Sequence, residues 1–351
     1  MYLKRIQIRD FRNIRSAELE LADTFNIITG DNGAGKTSVL EAISFLARGK
    51  SFKTSNSANL IQAGKSDFLI LAIGDRNEKL GLRRTPTTTQ VRLNGQAVNR
   101  LSDLVRLIPL LVITPNSHEL IERGPDQRRQ FIDWGLFHVE QSYAKAMQDY
   151  RKAMRQRNAV IRSDFDSTVY WEKGLATLGE RIDSFRQAYI ERLEPLFQDT
   201  LRHFEDINDL SIDYQPGWNR EKGLLEHLSS RRESDRKHGT CSIGPHRADL
   251  VLKHNKTPAR ERLSRGQQKL VVISLIVAQA RLLGEEGNMP TILVDDLPAE
   301  LDRKHQETLL DLLSTIPSQK IITSIDTSPC EYVSDGRLFH VEQGQISLSA
   351  D

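Results

Sequence analysis

The chain has 351 residues, 38% of them hydrophobic and 27% charged, so it can bury one large core or two lobes without disulfides or structural metals. Because 49 basic residues nearly balance 47 acidic ones, with a net charge of +2, a uniformly basic nucleic-acid-binding surface is excluded and any basic patch must be local. The two cysteines lack metal-ligand spacing and the N-terminus lacks the apolar block of a signal peptide, so we expect a cytoplasmic protein with no membrane contact.

Strands are predicted at 3–8, 17–21 and 25–29, followed by a glycine-rich turn and a helix from 36 to about 47. Further strands are expected at 68–73 and 90–93, the second ending at a hairpin signal, Asn94-Gly95. A charged stretch with apolar residues at helical spacing predicts a helical arm over about 127–206 that reverses at 163–168. An apolar helix at 264–283, a buried strand at 291–294, a helix at 303–314 and a strand at 320–323 complete the pattern.

A phosphate-binding loop is predicted between the third strand and the first helix. The residues Gly30-Asp31-Asn32-Gly33-Ala34-Gly35-Lys36-Thr37 match the P-loop pattern in full, and Ser38 follows as part of the same nucleotide site. The glycines let successive backbone N–H groups point at phosphates, and the helix N-terminus attracts the same anion. We expect Lys36 to hold the β- and γ-phosphates of ATP and Thr37 to coordinate Mg²⁺.

Two adjacent carboxylates follow the predicted strand at 291–294. Asp295 and Asp296 come directly after Ile292-Leu293-Val294, which is typical of a Walker B strand, and we expect this strand to abut the P-loop strand. Asp295 is the second predicted Mg²⁺ ligand. Asp296 is, with Lys36, the candidate catalytic residue, because a carboxylate there can orient or deprotonate the water that attacks the γ-phosphate.

A serine before the apolar helix at 264–283 separates this chain from most P-loop proteins. The run Ser264-Arg265-Gly266-Gln267 resembles the signature motif of the ABC-ATPase family. A serine at a helix N-cap adds a hydroxyl to the free N–H groups at the positive helix end, which suits a terminal phosphate. In that family the phosphate comes from the opposite subunit, so the resemblance implies a homodimer that forms when ATP binds. Arg265 either contacts the partner's nucleotide or is solvated.

The segment Glu300-Leu301-Asp302 has the spacing of the ABC-family D-loop, which crosses the dimer interface. Thr323-Ser324 stands where transporters of that family carry a switch histidine, and position 296 has an aspartate in place of the longer glutamate. We therefore predict a weak Mg²⁺-dependent ATPase whose slow hydrolysis of ATP to ADP and phosphate acts as a switch.

Stretches that span nearly the whole chain resemble the RecF family of bacterial recombination and repair proteins, which is related to SMC and Rad50. They are Asp10-Phe11-Arg12-Asn13-Ile14, the segment 124–133, Gly244-Pro245-His246-Arg247-Ala248-Asp249, and the signature itself. The resemblance implies an α/β fold: an ABC-ATPase head with a mixed β-sheet P-loop lobe (1–110 plus 286–351) and a second, mainly helical lobe (111–285) with a short helical arm. It also implies that Arg12 approaches the nucleotide.

The same resemblance implies a role in DNA repair, recombination, replication restart and the SOS response. Double-stranded DNA and single/double-strand junctions would be the ligands, RecR the protein partner, and RecA loading the process that is assisted. Four basic residues within two turns of the arm are candidates for phosphate contacts: Arg151, Lys152, Arg155 and Arg157. A solvated helical face explains any one of them equally well.

The alternative function is a transporter-type ABC ATPase subunit that energises a membrane permease by the same nucleotide sandwich. Such a protein is expected to carry a Q-loop glutamine and a switch histidine, and not the Arg- and Gln-rich arm after Arg128. A structural SMC-like linker is the third candidate. The arm is shorter than a long coiled coil and lacks sustained heptads, which disfavours it.

Overall fold

The computed structural model describes residues 1–205, 207, 209–297, 301–327, 329 and 335–349. The strands of the described chain are β1 (Leu3–Phe11), β2 (Ile14–Glu20), β3 (Phe25–Thr29), β4 (Phe68–Gly74), β5 (Lys79–Arg84), β6 (Thr89–Leu93), β7 (Gln96–Ala97), β8 (Leu110–Ile113), β9 (Leu210–Gln215), β10 (Asp249–His254), β11 (Thr257–Pro258), β12 (Thr291–Val294), β13 (Lys320–Thr323), β14 (Gly336–Glu342) and β15 (Gln345–Leu348).

The helices are α1 (Lys36–Arg48), α2 (Leu101–Leu107), α3 (Glu119–Glu122), α4 (Pro125–Val139), α5 (Tyr143–Ser163), α6 (Val169–Leu201), α7 (Gly223–Ser230), α8 (Arg232–His238), α9 (Ala259–Arg262), α10 (Arg265–Glu285) and α11 (Arg303–Ser314). None of these described helices combines the length and the apolar character that crossing a bilayer requires.

The chain divides into two compact units. The first comprises Met1–Ser117 and Leu283–Asp351, and the second His118–Leu282. The predicted boundary between the two lobes lies at 110/111, whereas the first compact unit continues to Ser117. The reason is that β8 pairs in parallel with β12 and therefore belongs to the sheet of the first unit.

In the first unit an antiparallel sheet, β2-β1-β4-β5-β6-β7, covers helix α1. Ten of the thirteen α1 residues are buried, and the helix contacts β1 of this sheet as well as β8 and β13 of the second sheet. Phe68 of β4 packs edge-to-face against Phe45 of α1 at 5.3 Å and against Phe11 at 4.9 Å. This core fixes the helix whose N-terminus follows the P-loop.

The second sheet of this unit has the order β15-β14-β3-β13-β12-β8. Strands β14, β3, β13, β12 and β8 run parallel, and the central strands β3, β13 and β12 are buried along their whole length, as expected for strands covered on both faces. The expectation that the Walker B strand abuts the P-loop strand was wrong, because β13 lies between β12 and β3. The carboxyl ends of β3, β13 and β12 nevertheless meet at one edge of the sheet.

The second unit contains the predicted helical arm. Helices α5 and α6 form its long hairpin, and the chain reverses through a short 3₁₀ turn at Asp166–Thr168, where the sequence predicts the reversal. Arg157 of α5 is fully buried and is held by Glu172 at 3.1 Å and Asp235 at 2.8 Å, whose side chains are also fully buried. The prediction that Arg157 contacts DNA was therefore wrong, because its guanidinium is buried and paired with two internal carboxylates.

Two of the stretches that carry the family resemblance meet in this unit. Arg128 donates two hydrogen bonds to the carboxylate of Asp249, at 2.7 and 3.0 Å. His246 is clamped between the hydroxyl of Tyr150 at 2.7 Å and the backbone carbonyl of Cys241 at 2.9 Å. These contacts give the 124–133 and 244–249 segments a structural role in joining the arm to the β9–β10–β11 sheet.

Candidate nucleotide site

The P-loop joins the end of β3 to the start of α1 and borders a cavity of about 540 Å³ in the first unit. Three of its residues, Asp31, Asn32 and Gly33, are exposed to solvent. Gly30 has a φ of 144°, and a Cβ added there would lie 2.2 Å from the carbonyl oxygen of Val341. Only glycine allows the loop to pass this close to strand β14.

Lys36 lies beneath the loop and is nearly buried, with 7% of its surface exposed. Its ammonium donates to the carbonyl oxygens of Gly30 at 2.6 Å and Asp31 at 3.1 Å. Burial lowers the pKa of Lys36, whereas the nearby carboxylates Asp296, Asp295 and Asp31 oppose that shift. The ammonium of Lys36 therefore lies at the phosphate cradle, bonded to two backbone carbonyls that phosphate oxygens could replace.

The two predicted Mg²⁺ ligands come from different elements and meet. The hydroxyl of Thr37, on the first turn of α1, donates to Oδ1 of Asp295 at 2.7 Å, and the hydroxyl of Thr323 donates to the same oxygen at 3.1 Å. Burial raises the pKa of the Asp295 carboxyl, against the effect of these hydrogen bonds. Hard oxygen ligands at one point suit Mg²⁺. A bound cation would relieve the cost of keeping this carboxylate buried.

Asp296 occupies a strained position beside the same cavity. Its φ of 57° is in the left-handed region, and its backbone N–H donates to the hydroxyl of Thr323 at 2.7 Å. Its Oδ1 is buried and has no hydrogen-bond partner within the described part of the chain. A left-handed backbone conformation and a buried, unsatisfied carboxylate oxygen at a residue that lines a cavity are typical of functional sites.

The turn between β1 and β2 contributes residues that face the P-loop. Arg12, which also has a left-handed φ of 53°, lines the cavity, and the buried carboxylate of Glu41 accepts from its Nε at 2.7 Å and its Nη2 at 2.8 Å. This hydrogen bonding raises the pKa of Arg12. The structure thus brings Arg12 to the predicted nucleotide site.

Sequence reasoning missed Asn13 as a site residue. Its amide nitrogen donates to the carbonyl oxygens of Gly33 at 3.2 Å and Ala34 at 3.1 Å, and its Oδ1 accepts from the hydroxyl of Ser38 at 2.8 Å. These hydrogen bonds connect the turn between β1 and β2 to the backbone of the P-loop and to the first turn of α1. The only sequence signal was the position of Asn13 next to Arg12, in a stretch singled out for resemblance alone.

The signature residues lie at the start of α10 in the second unit. Ser264 accepts from the backbone N–H of Gln267 at 3.3 Å, and the Gln267 side chain accepts from the N–H of Ser264 at 3.0 Å. This reciprocal pair is a capping box. Ser264, Arg265 and Gly266 are all exposed, and the nearest carboxylate to Arg265 is that of Glu122 at 3.8 Å. The first turn of a 21-residue helix is therefore open to a ligand.

The remaining predicted residues lie elsewhere. Glu300 falls outside the described residues, Leu301 is buried, and Asp302 caps α11 by accepting from the N–H of His305 at 3.0 Å. That hydrogen bond lowers the pKa of Asp302. On the arm, the three remaining DNA candidates are exposed along one helix: Arg151, Lys152 and Arg155.

Comparison with known proteins identifies the family of the chain. Residues 2–347 match the model of the RecF/RecN/SMC N-terminal domain. The DNA replication and repair protein RecF of Shewanella frigidimarina is 39% identical, and that of Shewanella loihica 37% identical, over 99% of this chain and 99% of each relative. The chain belongs to the RecF family. The resemblance predicted from the sequence is confirmed.

Solved structures of family members and relatives support the fold. The recombination mediator protein RecF of the RecFOR pathway, solved with ATP, superposes with a TM-score of 0.85 at 26% identity, covering 99% of this chain and 98% of that one. An SMC head bound to the C-terminal winged-helix domain of ScpA has a TM-score of 0.62 at 16% identity, covering 99% and 97%. The predicted ABC-ATPase head with a helical lobe is confirmed by these likenesses.

Proposed function

We propose that this chain is an ATP-dependent DNA-binding protein of recombinational repair and replication restart, in which ATP binding drives dimerisation on DNA and slow hydrolysis releases it. The observation that carries the proposal is the exposed first turn of α10, with its capped Ser264, in a chain that also has a P-loop next to Asp295. Each copy would then offer one phosphate site at its P-loop and a second at the start of α10 for the γ-phosphate bound by another copy.

ATP is held by the P-loop amides, Lys36 and Arg12, and Mg²⁺ by Thr37 and Asp295, where it neutralises the phosphate charge. Binding requires Lys36 to exchange the carbonyls of Gly30 and Asp31 for phosphate oxygens. The exposed N–H groups and the hydroxyl of the partner's signature helix then complete the site, so ATP binding stabilises the dimer.

Hydrolysis depends on Asp296. Its carboxylate, at the edge of the cavity, accepts a hydrogen bond from the attacking water, orients it towards the γ-phosphorus and takes up its proton, while the bond between the γ-phosphorus and the bridging oxygen of ADP breaks. Loss of the γ-phosphate removes the contact that holds the partner's signature helix, so the dimer opens. The single proton acceptor and the absence of a switch histidine favour a slow, weak ATPase.

The DNA ligand is double-stranded DNA or a single/double-strand junction, contacted through its phosphates by the exposed cations of the arm, Arg151, Lys152 and Arg155. The RecF relatives named above are DNA replication and repair proteins, and the solved RecF belongs to the RecFOR pathway. We extend this role to the chain, with RecR as its protein partner and RecA loading as the process that it assists. The cytoplasm is the expected location.

Substituting these three residues with alanine should weaken DNA binding and lower the slope of log affinity against log salt by up to about 2.7, because each lost phosphate contact contributes about 0.9. The matched control removes three exposed cations of the antiparallel sheet: Arg9, Lys79 and Arg92. An unchanged salt slope in the arm variant would remove the arm from the DNA-binding surface.

Dimerisation through the signature is tested with two complementary variants. Lys36→Ala loses the phosphate ligand but keeps an intact signature, whereas Ser264→Arg keeps the P-loop but places a bulky cation at the mouth of α10. Energy transfer between dye-labelled copies, with Mg-ATP present, reports dimer formation. Neither variant should dimerise alone, whereas their mixture should, because ATP on the Ser264→Arg copy meets the normal Ser264 of the Lys36→Ala copy.

The control is Ser184→Arg, which places the same side chain at an exposed serine of α6 and should dimerise like the wild type. Mg-ADP affinity of the monomeric Ser264→Arg variant is measured in parallel and should equal that of the wild type, because ADP does not drive dimerisation. If Ser264→Arg dimerises normally with ATP, the signature does not complete the partner's site and the clamp mechanism fails.

A further inference from the structure

The loop after α1 places an additional cation at the nucleotide cavity, one that belongs to none of the motifs described above. Lys53 lines the cavity together with Lys36, Thr37 and Asp296. Its ammonium lies 4.0 Å from Oδ2 of Asp295, on the side of that carboxylate away from the Thr37 hydroxyl, which bonds Oδ1. The Asp295 side chain is only 2% exposed, whereas that of Lys53 is 48% exposed.

The backbone that carries Lys53 is fixed in place. The hydroxyl of Ser51 accepts from the N–H of Lys53 at 2.9 Å and from that of Thr54 at 3.0 Å, a local turn closed by a side chain. The same hydroxyl donates to the buried carboxylate of Glu41, which also holds Arg12. One buried acid on α1 thus orders two cations that border the cavity, Arg12 and Lys53.

The ammonium of Lys53 is partly exposed and only loosely paired. At 4.0 Å its approach to Asp295 is an ion pair without a hydrogen bond, and its four-carbon stem is half exposed. A divalent cation between Thr37 and Asp295 would repel this ammonium, while a triphosphate in the cavity would offer it several anionic oxygens. The charge balance at Asp295 therefore favours one position of Lys53 without nucleotide and another with it.

We propose that Lys53 is a γ-phosphate ligand that serves as the counter-ion of Asp295 while the site is empty and transfers to the terminal phosphate when Mg-ATP binds. This inference rests on the proposed ATP-binding function. It assigns Lys53 a role distinct from that of the P-loop lysine: Lys36, at the base of the loop, serves any bound nucleotide, whereas Lys53 distinguishes ATP from ADP. It also makes the loop after α1 a sensor of the phosphate that controls dimerisation.

The test compares the binding of Mg-ATP and Mg-ADP by calorimetry in four proteins: wild type, Lys53→Met, Lys53→Arg and Lys50→Met. Lys50 is a matched control because it is an exposed lysine of the same loop that does not line the cavity. The Ser264→Arg substitution is present throughout, so that dimerisation does not contribute to the measured affinity. Circular dichroism verifies that each variant is folded.

Lys53→Met should weaken ATP binding about tenfold, the effect of losing one charge-assisted hydrogen bond, and leave ADP binding within about twofold of wild type. Lys53→Arg should restore most of the ATP affinity, and Lys50→Met should change neither. Equal weakening of ATP and ADP, or no change in either, would overturn the role of Lys53 and leave the proposed function intact. If the protein with intact Lys53 bound neither nucleotide, the proposed function would fail as well.

Discussion

The buried ion-pair network of the arm makes the strongest quantitative prediction. Arg157 has no exposed surface, and it joins Asp235 on α8 to Glu172 on α6. In Arg157→Met the apolar side chain fills much of the space, but the carboxylate of Asp235 keeps only the backbone N–H of Ser242, at 2.9 Å. Glu172 is less affected, because Arg232 still donates to both of its oxygens.

Removing one partner of a buried ion pair costs about 3–5 kcal/mol, because a buried charge is left uncompensated. We expect Arg157→Met to lose this amount of unfolding free energy, a large share of the 5–15 kcal/mol typical of a folded protein. Adding Asp235→Asn should recover part of the loss, since a neutral amide costs less to bury than an unpaired carboxylate. If the double variant regains stability, the loss in Arg157→Met comes from the unpaired charge of Asp235 and not from poorer packing.

Urea unfolding followed by tryptophan fluorescence measures this loss in the relevant unit. All three tryptophans, Trp134, Trp171 and Trp218, lie in the second unit, so their signal reports its unfolding. The control is Arg155→Met, an exposed arginine two residues away on the same helix, which should stay within about 0.5 kcal/mol of wild type. If Arg157→Met lost less than about 1 kcal/mol of unfolding free energy, the buried ion pairs of Arg157 would not stabilise the fold as proposed.

Three further predictions concern the site and its supports. Asp296→Asn should bind ATP normally but hydrolyse it far more slowly and accumulate as a dimer on sizing columns, so undiminished phosphate release would remove Asp296 from catalysis. Gly30→Ala should abolish ATP binding in calorimetry, because its Cβ overlaps the Val341 carbonyl; wild-type affinity would contradict this. Burial lowers the pKa of His246 below its ordinary 6.5, so its contribution to stability is complete above pH 6.5 and declines as the pH falls below it. His246→Gln should flatten that decline in thermal unfolding across pH 5–8, and an unchanged profile would exclude His246 as its source.

Local patterns predicted the parts of the site that depend on neighbouring residues. The P-loop, the Walker B strand and the Ser264 cap could all be located, because turn chemistry, strand apolarity and capping are encoded within a few residues. The helical hairpin was predictable for the same reason, since its apolar spacing and its reversal at 163–168 are local signals.

Features that depend on contacts between residues far apart in the sequence could not be predicted from local patterns. Arg157 looks like its neighbours Arg151 and Arg155 in sequence, yet its partners lie 15 and 78 residues further along the chain. The order of the parallel sheet was also missed, because nothing in the sequence of β12 states that β13 lies between it and β3. The hairpin β14–β15 escaped prediction although it contacts the P-loop, where Gly344 donates to the carbonyl of Ala34 at 2.8 Å.

The internal partners of the nucleotide site explain how the proposed ATP-driven switch would be stable without ATP. Lys36 is satisfied by backbone carbonyls, Thr37 by Asp295, and Arg12 by Glu41, so ATP must replace some of these bonds. The free energy of binding is reduced by what those bonds contribute, since only differences between bound and free states count. The buried Oδ1 of Asp296 has no such partner among the described residues, and the exposed first turn of α10 is capped by its own Ser264 and Gln267. Both are proposed to act only after the nucleotide is bound, and this order of events would couple nucleotide binding to dimerisation.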